Sequence, residues 1–458
     1  MKTARVKFHS LITGIVAGIL CIVFLSGELR AQSIIRDTET ENTIRTWFEP
    51  VVEAADMNLD SIRIILVKDS QINAFVAGGP NIFIYSGLIL YTETPGELIG
   101  VLAHELGHIS GGHLVRGRDA MEKASYESLL GSILGIGTAL LTGDPGAGTA
   151  ITSGFQSTAL RRYLAHSRVQ ESSADQAALT AMEKAGYNPE GLTSFLRKLQ
   201  SREDPGRQTK ESEYLRTHPL TENRIRLLEN AVLHSEHTNE EWPEEWTEQH
   251  SRMKAKLMGY IHPEQVVWAY DDRDLSVAAE YARAVADYRM NRPEEALGKI
   301  NALIEREPQN PFFYELKGQM LFDFGRIEES IAAYEIASRY APESGLIKMA
   351  YAHALIEEDR KNTDNIEKAL SLLKQAELEE QRSTRLHRLL ATAYGIRGRQ
   401  DMARLHLAEE AVLKTDWENA RDLARRAKEE FAKGSREWLK ADDLLRFIEQ
   451  NGKFDEKK

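Results

Sequence analysis

Apolar and polar positions alternate with different periods along the chain, and the changes of period mark its elements. Lys2, Arg5 and Lys7 precede an uncharged, mostly apolar run from Leu11 to Leu25, with small residues after it. That layout predicts a secretory signal peptide over 1–31, cleaved after Ala31, because the run is shorter than the ~20 residues of a membrane-spanning helix. Asn73-Ala74-Phe75 and Ile82-Phe83-Ile84-Tyr85 read as strands, with Gly78-Gly79 as a hairpin turn between them. Thr94-Pro95-Gly96-Glu97 forms a capping box that starts a helix, whose Leu98, Val101, Leu102 and Leu106 recur at helical spacing and give one side a core to pack on. A second apolar stretch, Leu129 to Leu141, is too short and too Gly-rich for a membrane span. Its expected role is a buried helical hairpin; the other reading is a flap, or a surface for peripheral membrane or client contact.

Beyond about residue 265 the composition turns to Ala, Glu, Arg and Leu, with almost no strand signal. Pro308 and Pro342 stand 34 residues apart, as do Ala296 and Ser330, and Ala369 and Ala403. An insertion of five within Glu357 to Asn365 restores the phase between the second and third units. A 34-residue period with Ala or Ser in the second helix and Pro at its end is the tetratricopeptide signature, which predicts a solenoid of paired helices. Trp417 to Phe447 adds a further pair and a polar cap. The expected architecture is mainly α with a small β-sheet: a signal peptide over 1–31, a catalytic domain over 32–265 and a helical repeat domain over 266–458. The acidic stretch Glu236 to Glu248, with Trp242 and Trp246, is placed at the junction. Such solenoids bind an extended peptide or a protein partner on one face.

Composition narrows the functions available. With 70 acidic against 58 basic residues the net charge is -12, and no basic stripe stands out, which argues against a nucleic-acid partner. Cys21, inside the signal run, is the only cysteine. The processed chain therefore has neither thiol nor disulfide, which excludes cysteine proteolysis and Cys-ligated metals, and it is long enough to bury two cores.

The candidate chemistry lies at His104-Glu105-Leu106-Gly107-His108. Residues four apart share a helical face, so both imidazoles reach one cation, and Glu105 is placed as a general base. A catalytic zinc usually takes three protein ligands. His113 misses the spacing of the extended motif, whose third His would fall at Leu114, and is expected to be structural. Glu171, in Glu171-Ser172-Ser173-Ala174-Asp175, is the better third ligand, with Asp175 one turn on to fix the tautomer of a ligating His. The structural alternatives are a metal-free polar face for the HELGH residues and an exposed helix acid for Glu171.

These motifs resemble the gluzincin metallopeptidase family that includes HtpX and the CAAX prenyl proteases. The likeness rests on Asn73-Ala74-Phe75 with Gly78-Gly79 and Ile82 to Leu88, then HELGH, then Glu171 with Asp175, then Thr217-His218-Pro219-Leu220 with Arg224, in that order over roughly 40–230. It is nearest to the periplasmic members that carry a repeat domain. The resemblance implies a zincin-like domain and one zinc ion per chain on His104, His108 and Glu171, with Glu105 as base. It also implies His218 as a fourth, inhibitory ligand and Arg224 as an active-site arginine. By the same likeness the protein is a periplasmic endopeptidase acting on unfolded or misassembled proteins at the barrel-assembly machinery. An extended substrate is expected to pair with the strand holding Ile82 and Ile84, near Asn73 and Phe75. The competing reading is a chaperone or scaffold whose metal site is structural or latent.

Overall fold

The computed structural model of the chain describes residues 33–113, 168–202 and 213–452. The expected signal peptide and the apolar segment 129–148 lie outside the described residues. Among the described residues no helix is long and apolar enough to cross a membrane.

The first domain opens with β1 (Ser33–Ile35) and α1 (Thr38–Ala54), followed by β2 (Arg63–Lys68), β3 (Ala74–Val76) and β4 (Asn81–Tyr85). A short α2 (Ser86–Tyr91) leads into α3 (Pro95–Ser110), which carries HELGH. Then come α4 (168–184), α5 (Glu190–Arg202), α6 (Glu213–Thr217) and α7 (Glu222–His234). The start of α3 follows from its sequence: the Glu97 N–H donates to Thr94 Oγ1 (3.2 Å) and the Glu97 carboxylate accepts from the Glu93 N–H (2.7 Å). One side of α3 was expected to face a core, but every residue from Pro95 to Gly107 is buried. The helix runs through the middle of the domain, so its polar residues are shut in along with its leucines.

The sheet order is β1-β2-β4-β3, with β2 and β4 parallel and the outer pairs antiparallel. This corrects the expected substrate strand. β4 is hydrogen-bonded on both sides, and Ile82 and Ile84 are fully buried in the core with Ala74, Trp47 and Leu102. Among the described residues the outer strands β1 and β3 each leave one edge unpaired, and β3 packs against α3.

The second domain begins in α8 (Glu244–Ile261), continues through α9 (Val266–Ala269), and then stacks five helix pairs. They are α10 (Val277–Arg289) with α11 (Pro293–Arg306), α12 (Pro311–Asp323) with α13 (Ile327–Tyr340), and α14 (Gly345–Glu358) with α15 (Thr363–Ala376). α16 (Thr384–Ile396) with α17 (Gln400–Leu413), and α18 (Trp417–Glu430) with α19 (Arg436–Asn451), complete the stack. The insertion expected within Glu357 to Asn365 is divided. α14 and the turn after it are each one residue longer than in the preceding pair, and the connection 377–383 supplies the remaining three. α8 serves both domains: Met253 and Leu257 enter the first core, while Ala255 packs with Ala278, Ala282 and Ala286 of α10. The expected boundary at 265 therefore falls just after a helix that joins the two cores.

A second seam is polar. Arg36 donates through two nitrogens to the Glu380 carboxylate (2.7 and 2.8 Å), and Arg252 reaches Glu307 in the same forked way. Lys256 on α8 contacts Asp37, the N-cap of α1, and Glu39 Oε2 at 3.1 Å, and Tyr281 of α10 donates to that Glu39 oxygen. Burial opposes the charge on Asp37, but Lys256 outweighs it and holds the carboxyl below its ordinary value. Replacing Lys256 by Met leaves these acids facing each other without their cation. We expect a loss of roughly 3–5 kcal/mol near neutral pH, read by denaturant unfolding. Asp37 is depressed in the folded chain, so the deficit should be full above ~4 and shrink as the pH falls through the folded value. An unchanged midpoint at neutral pH would show that the seam is not coupled to folding.

Candidate metal centre

Three elements deliver the site. α3 supplies His104, Glu105 and His108, α4 supplies Glu171 and Asp175, and the turn between α6 and α7 supplies His218. The first two can approach because Gly107 has no side chain. A Cβ there would lie 2.5 Å from the Ala174 carbonyl oxygen and 2.8 Å from its Cα, so the backbones of α3 and α4 touch. This contact places Glu171 opposite the two imidazoles.

The donor atoms of His104, His108, Glu171 and His218 all lie within 4.8 Å of one another. His104 Nε2 stands 3.1 Å from His108 Nε2, 3.3 Å from His218 Nδ1 and 3.3 Å from Glu171 Oε2. Glu171 also lies 3.4 Å from His108 Nε2 and 3.2 Å from His218 Nδ1. Two ligands on one tetrahedral zinc stand roughly 3.3 Å apart, given bond lengths near 2.0–2.1 Å, so the spacing and the donor set fit that ion. His218, expected from the resemblance as a possible fourth donor, is inside the cluster.

Each ligand is oriented from behind. His104 Nδ1–H donates to Asp175 Oδ1 (2.9 Å), which leaves Nε2 free to ligate, the role expected of Asp175. His108 has a partner that sequence reasoning missed: His113 Nδ1 lies 3.0 Å from His108 Nδ1. The signal was the five-residue spacing at the end of α3, where the Gly111-Gly112 turn brings the second ring back onto the first. Tyr214, also missed, is buried and stacks on the His218 ring at 4.7 Å.

Arg224 was expected among the catalytic groups, and the structure gives it a different place. It is 1% exposed and forks onto both oxygens of Asp175 (2.7 and 2.8 Å), with Nη1 at 3.1 Å from Glu171 and donating to the Pro219 carbonyl at 2.9 Å. Its donors are engaged behind the cluster, so it is a positioning residue that ties α4 to the His218 turn. Asn73, just before β3, is buried and accepts from Thr217 Oγ1 (3.4 Å), and Phe75 in β3 stacks on Phe83, so both side chains are engaged within the domain.

Electrostatics divide the ligands. Burial opposes a charge on His104, but hydrogen bonds to Asp175 and Glu171 and their charges prevail, and its pKa is pushed up to about 10. Burial together with the neighbouring His104 charge pushes His108 down to about 2. Glu171, despite burial, is held well below the carboxylate range by His104 and His218. Burial raises Glu105, partly offset by His218 and His104. Both Glu105 oxygens are buried without a hydrogen bond, and Oε1 stands 3.4 Å from His218 Nε2. A buried carboxyl with a raised pKa beside a metal cluster suits proton transfer.

Two helices, two imidazoles, an acid from across the domain and a buried base define a metallopeptidase site. Comparison with known proteins supplies the family: residues 38–232 match Peptidase family M48 and residues 254–419 match a tetratricopeptide repeat family. The chain carries an M48 metallopeptidase domain joined to a tetratricopeptide-repeat region. It is 25% identical over 354 residues to the beta-barrel assembly-enhancing protease of Yersinia pestis, covering 73% of this chain and 69% of that one. The beta-barrel assembly-enhancing protease of Escherichia coli K12 is 25% identical over 312 residues, 65% and 61% of the two chains. Protease HtpX of Psychrobacter is 25% identical over 243 residues, 46% and 79% of the two chains. The chain thus spans 61% to 69% of the length of the two assembly-enhancing proteases.

Two measurements test this centre. Gly107→Ala should push α4 outward and weaken zinc binding by about 10–100-fold, as loss of ligand support typically does, in competition with a chromophoric chelator. Unchanged affinity would mean that the helix contact does not set the ligand spacing. With the His104 pKa pushed up to about 10, zinc uptake near neutral pH should expel about one proton. Calorimetry in buffers of different ionisation enthalpy reads that number, and a value of zero would contradict the protonated state.

Proposed function

We propose that the protein is an exported zinc endopeptidase that cuts unfolded or misassembled proteins in the bacterial periplasm, with the repeat domain recruiting a partner such as the barrel-assembly machinery. The observation that carries this reading is the four-donor cluster with the buried Glu105 beside it. The proposed roles are ligation by His104, His108 and Glu171, orientation by Asp175, and base catalysis by Glu105. Zinc supplies Lewis acidity that polarises a carbonyl and makes water acidic. Glu105 takes the proton of the attacking water and returns it to the leaving amine nitrogen. β3 offers its free edge to an extended segment, a mode that admits unfolded chains and excludes compact ones. The assembly role is supported by the names of the Yersinia and Escherichia relatives, and the periplasmic site by the layout of residues 1–31.

One observation favours a second state of the same centre. His218 places Nδ1 among the donor atoms and Nε2 at 3.4 Å from Glu105 Oε1, so with the ion bound it would take a fourth position and stand against the base. Four protein ligands make a closed site of the structural type. The proposal is therefore a latent peptidase that opens when the turn carrying His218 withdraws. A chaperone or scaffold with a permanently closed site is the competing reading.

Glu105→Gln should retain zinc but lower cleavage of an unfolded polypeptide by about 10²–10⁴-fold. His218→Ala should raise cleavage while leaving one zinc bound. Full complementation of a deletion strain by Glu105→Gln would instead support the scaffold. Unchanged or lower cleavage by His218→Ala would overturn latency.

A further inference from the structure

His387 and His406, on the two antiparallel helices α16 and α17, are each 3% exposed in the repeat domain. Their Nδ1 atoms stand 3.3 Å apart. Glu409, one turn after His406, brings Oε2 to 3.0 Å from His387 Nδ1 and 2.9 Å from His406 Nδ1. The three donors form a triangle with edges of 2.9–3.3 Å. The corresponding separations in the peptidase cluster are 3.1–3.4 Å. The His387–His406 edge and the peptidase separations match the roughly 3.3 Å that separates two ligands on a tetrahedral zinc, and the two carboxylate edges are shorter by about 0.3–0.4 Å.

Four further features separate this cluster from an ordinary buried hydrogen-bond network. His387 Nε2–H donates to the Gln381 carbonyl at 2.9 Å, which leaves Nδ1 as the bare lone pair that a cation requires. Glu409 Oε2 is buried and has no hydrogen bond, although both rings are within 3.0 Å. The other Glu409 oxygen is held by Lys440 of α19 at 2.9 Å, so the carboxylate presents one oxygen to the rings. Tyr394 stacks nearly parallel on His406, at 6° and 5.6 Å, and fixes the plane of that ring.

We propose that His387, His406 and Glu409 hold a second zinc ion that clips together the helices of the fourth repeat pair. Two imidazoles and a carboxylate are donors that zinc accepts, and a fourth position is left to water. Through Lys440 the clip also reaches the terminal helix. In a solenoid, where each pair is supported only by its neighbours, stabilising one pair stabilises the stack. The inference stands independently of the peptidase reading.

The test uses the untagged full chain carrying His104→Ala and His108→Ala, so that the first cluster cannot take metal. Stripped of metal and titrated with zinc, it should bind one equivalent and unfold at a higher temperature than without zinc. Adding Glu409→Gln or His406→Gln should weaken that binding at least tenfold, with helicity unchanged by circular dichroism. Cobalt substitution reads the same site without further mutation, and intense tetrahedral absorption bands are expected. Absence of a stoichiometric equivalent in the double-alanine chain would overturn the proposal. So would retention of full affinity in both added variants, or a cobalt spectrum of octahedral type.

Discussion

The contact of Gly107 with the backbone of Ala174 governs the first domain, because it sets the separation of the two helices that meet at the metal cluster. A side chain at 107 would hold α4 away from α3. Glu171 and Asp175 ride on α4 on either side of that contact, so one close approach positions both the ligand and the residue behind His104. Burial of α3 from Pro95 to Gly107 makes the arrangement rigid. The helix cannot rotate to relieve strain, since Leu98, Val101, Leu102 and Leu106 are locked into the same core.

Charge is then placed where an apolar core would reject it. His104, Glu105, Glu171, Asp175 and Arg224 are almost wholly buried. Unpaired, each would carry a desolvation penalty of several kcal/mol; mutual pairing offsets it for His104, Glu171, Asp175 and Arg224, whereas Glu105, without a hydrogen bond, has its pKa raised by burial. Arg224 is the pivot, because its fork on Asp175 and its bond to the Pro219 carbonyl link α4 to the turn that carries His218. The position of His218 is thereby connected to the orientation of His104. Movement of that turn would alter both coordination and the freedom of Glu105.

The repeat domain is not a tethered appendage. α8 contributes one face to each core, and the start of α1 is bound to α8, α10 and the connection after α15 through Lys256, Tyr281 and Glu380. These contacts lie beside β1, and the other edge strand, β3, is at the opposite end of the sheet. A partner bound to the solenoid is thus held on a body that also carries an available strand edge.

Local patterns were readable without the fold. The capping box at Thr94, the one-turn spacing of His104 and His108 and the 34-residue repeat each depend on neighbours close in the chain, and helical geometry turns such spacing directly into position. The carboxylate partner on α4 was legible through its ExxxD spacing and family likeness. Roles that depend on which elements become neighbours were not. The order of strands made β3 an edge strand and buried Ile82 and Ile84, the Gly111-Gly112 turn brought His113 onto His108, and the packing of α7 placed Arg224 against Asp175 and Glu171. The sequence by itself determined the elements, the repeat and the donor types, because those follow from short-range periodicity and side-chain chemistry. Only the tertiary structure decided which donors share a centre and which strand stays free, because both depend on contacts between segments far apart in the chain.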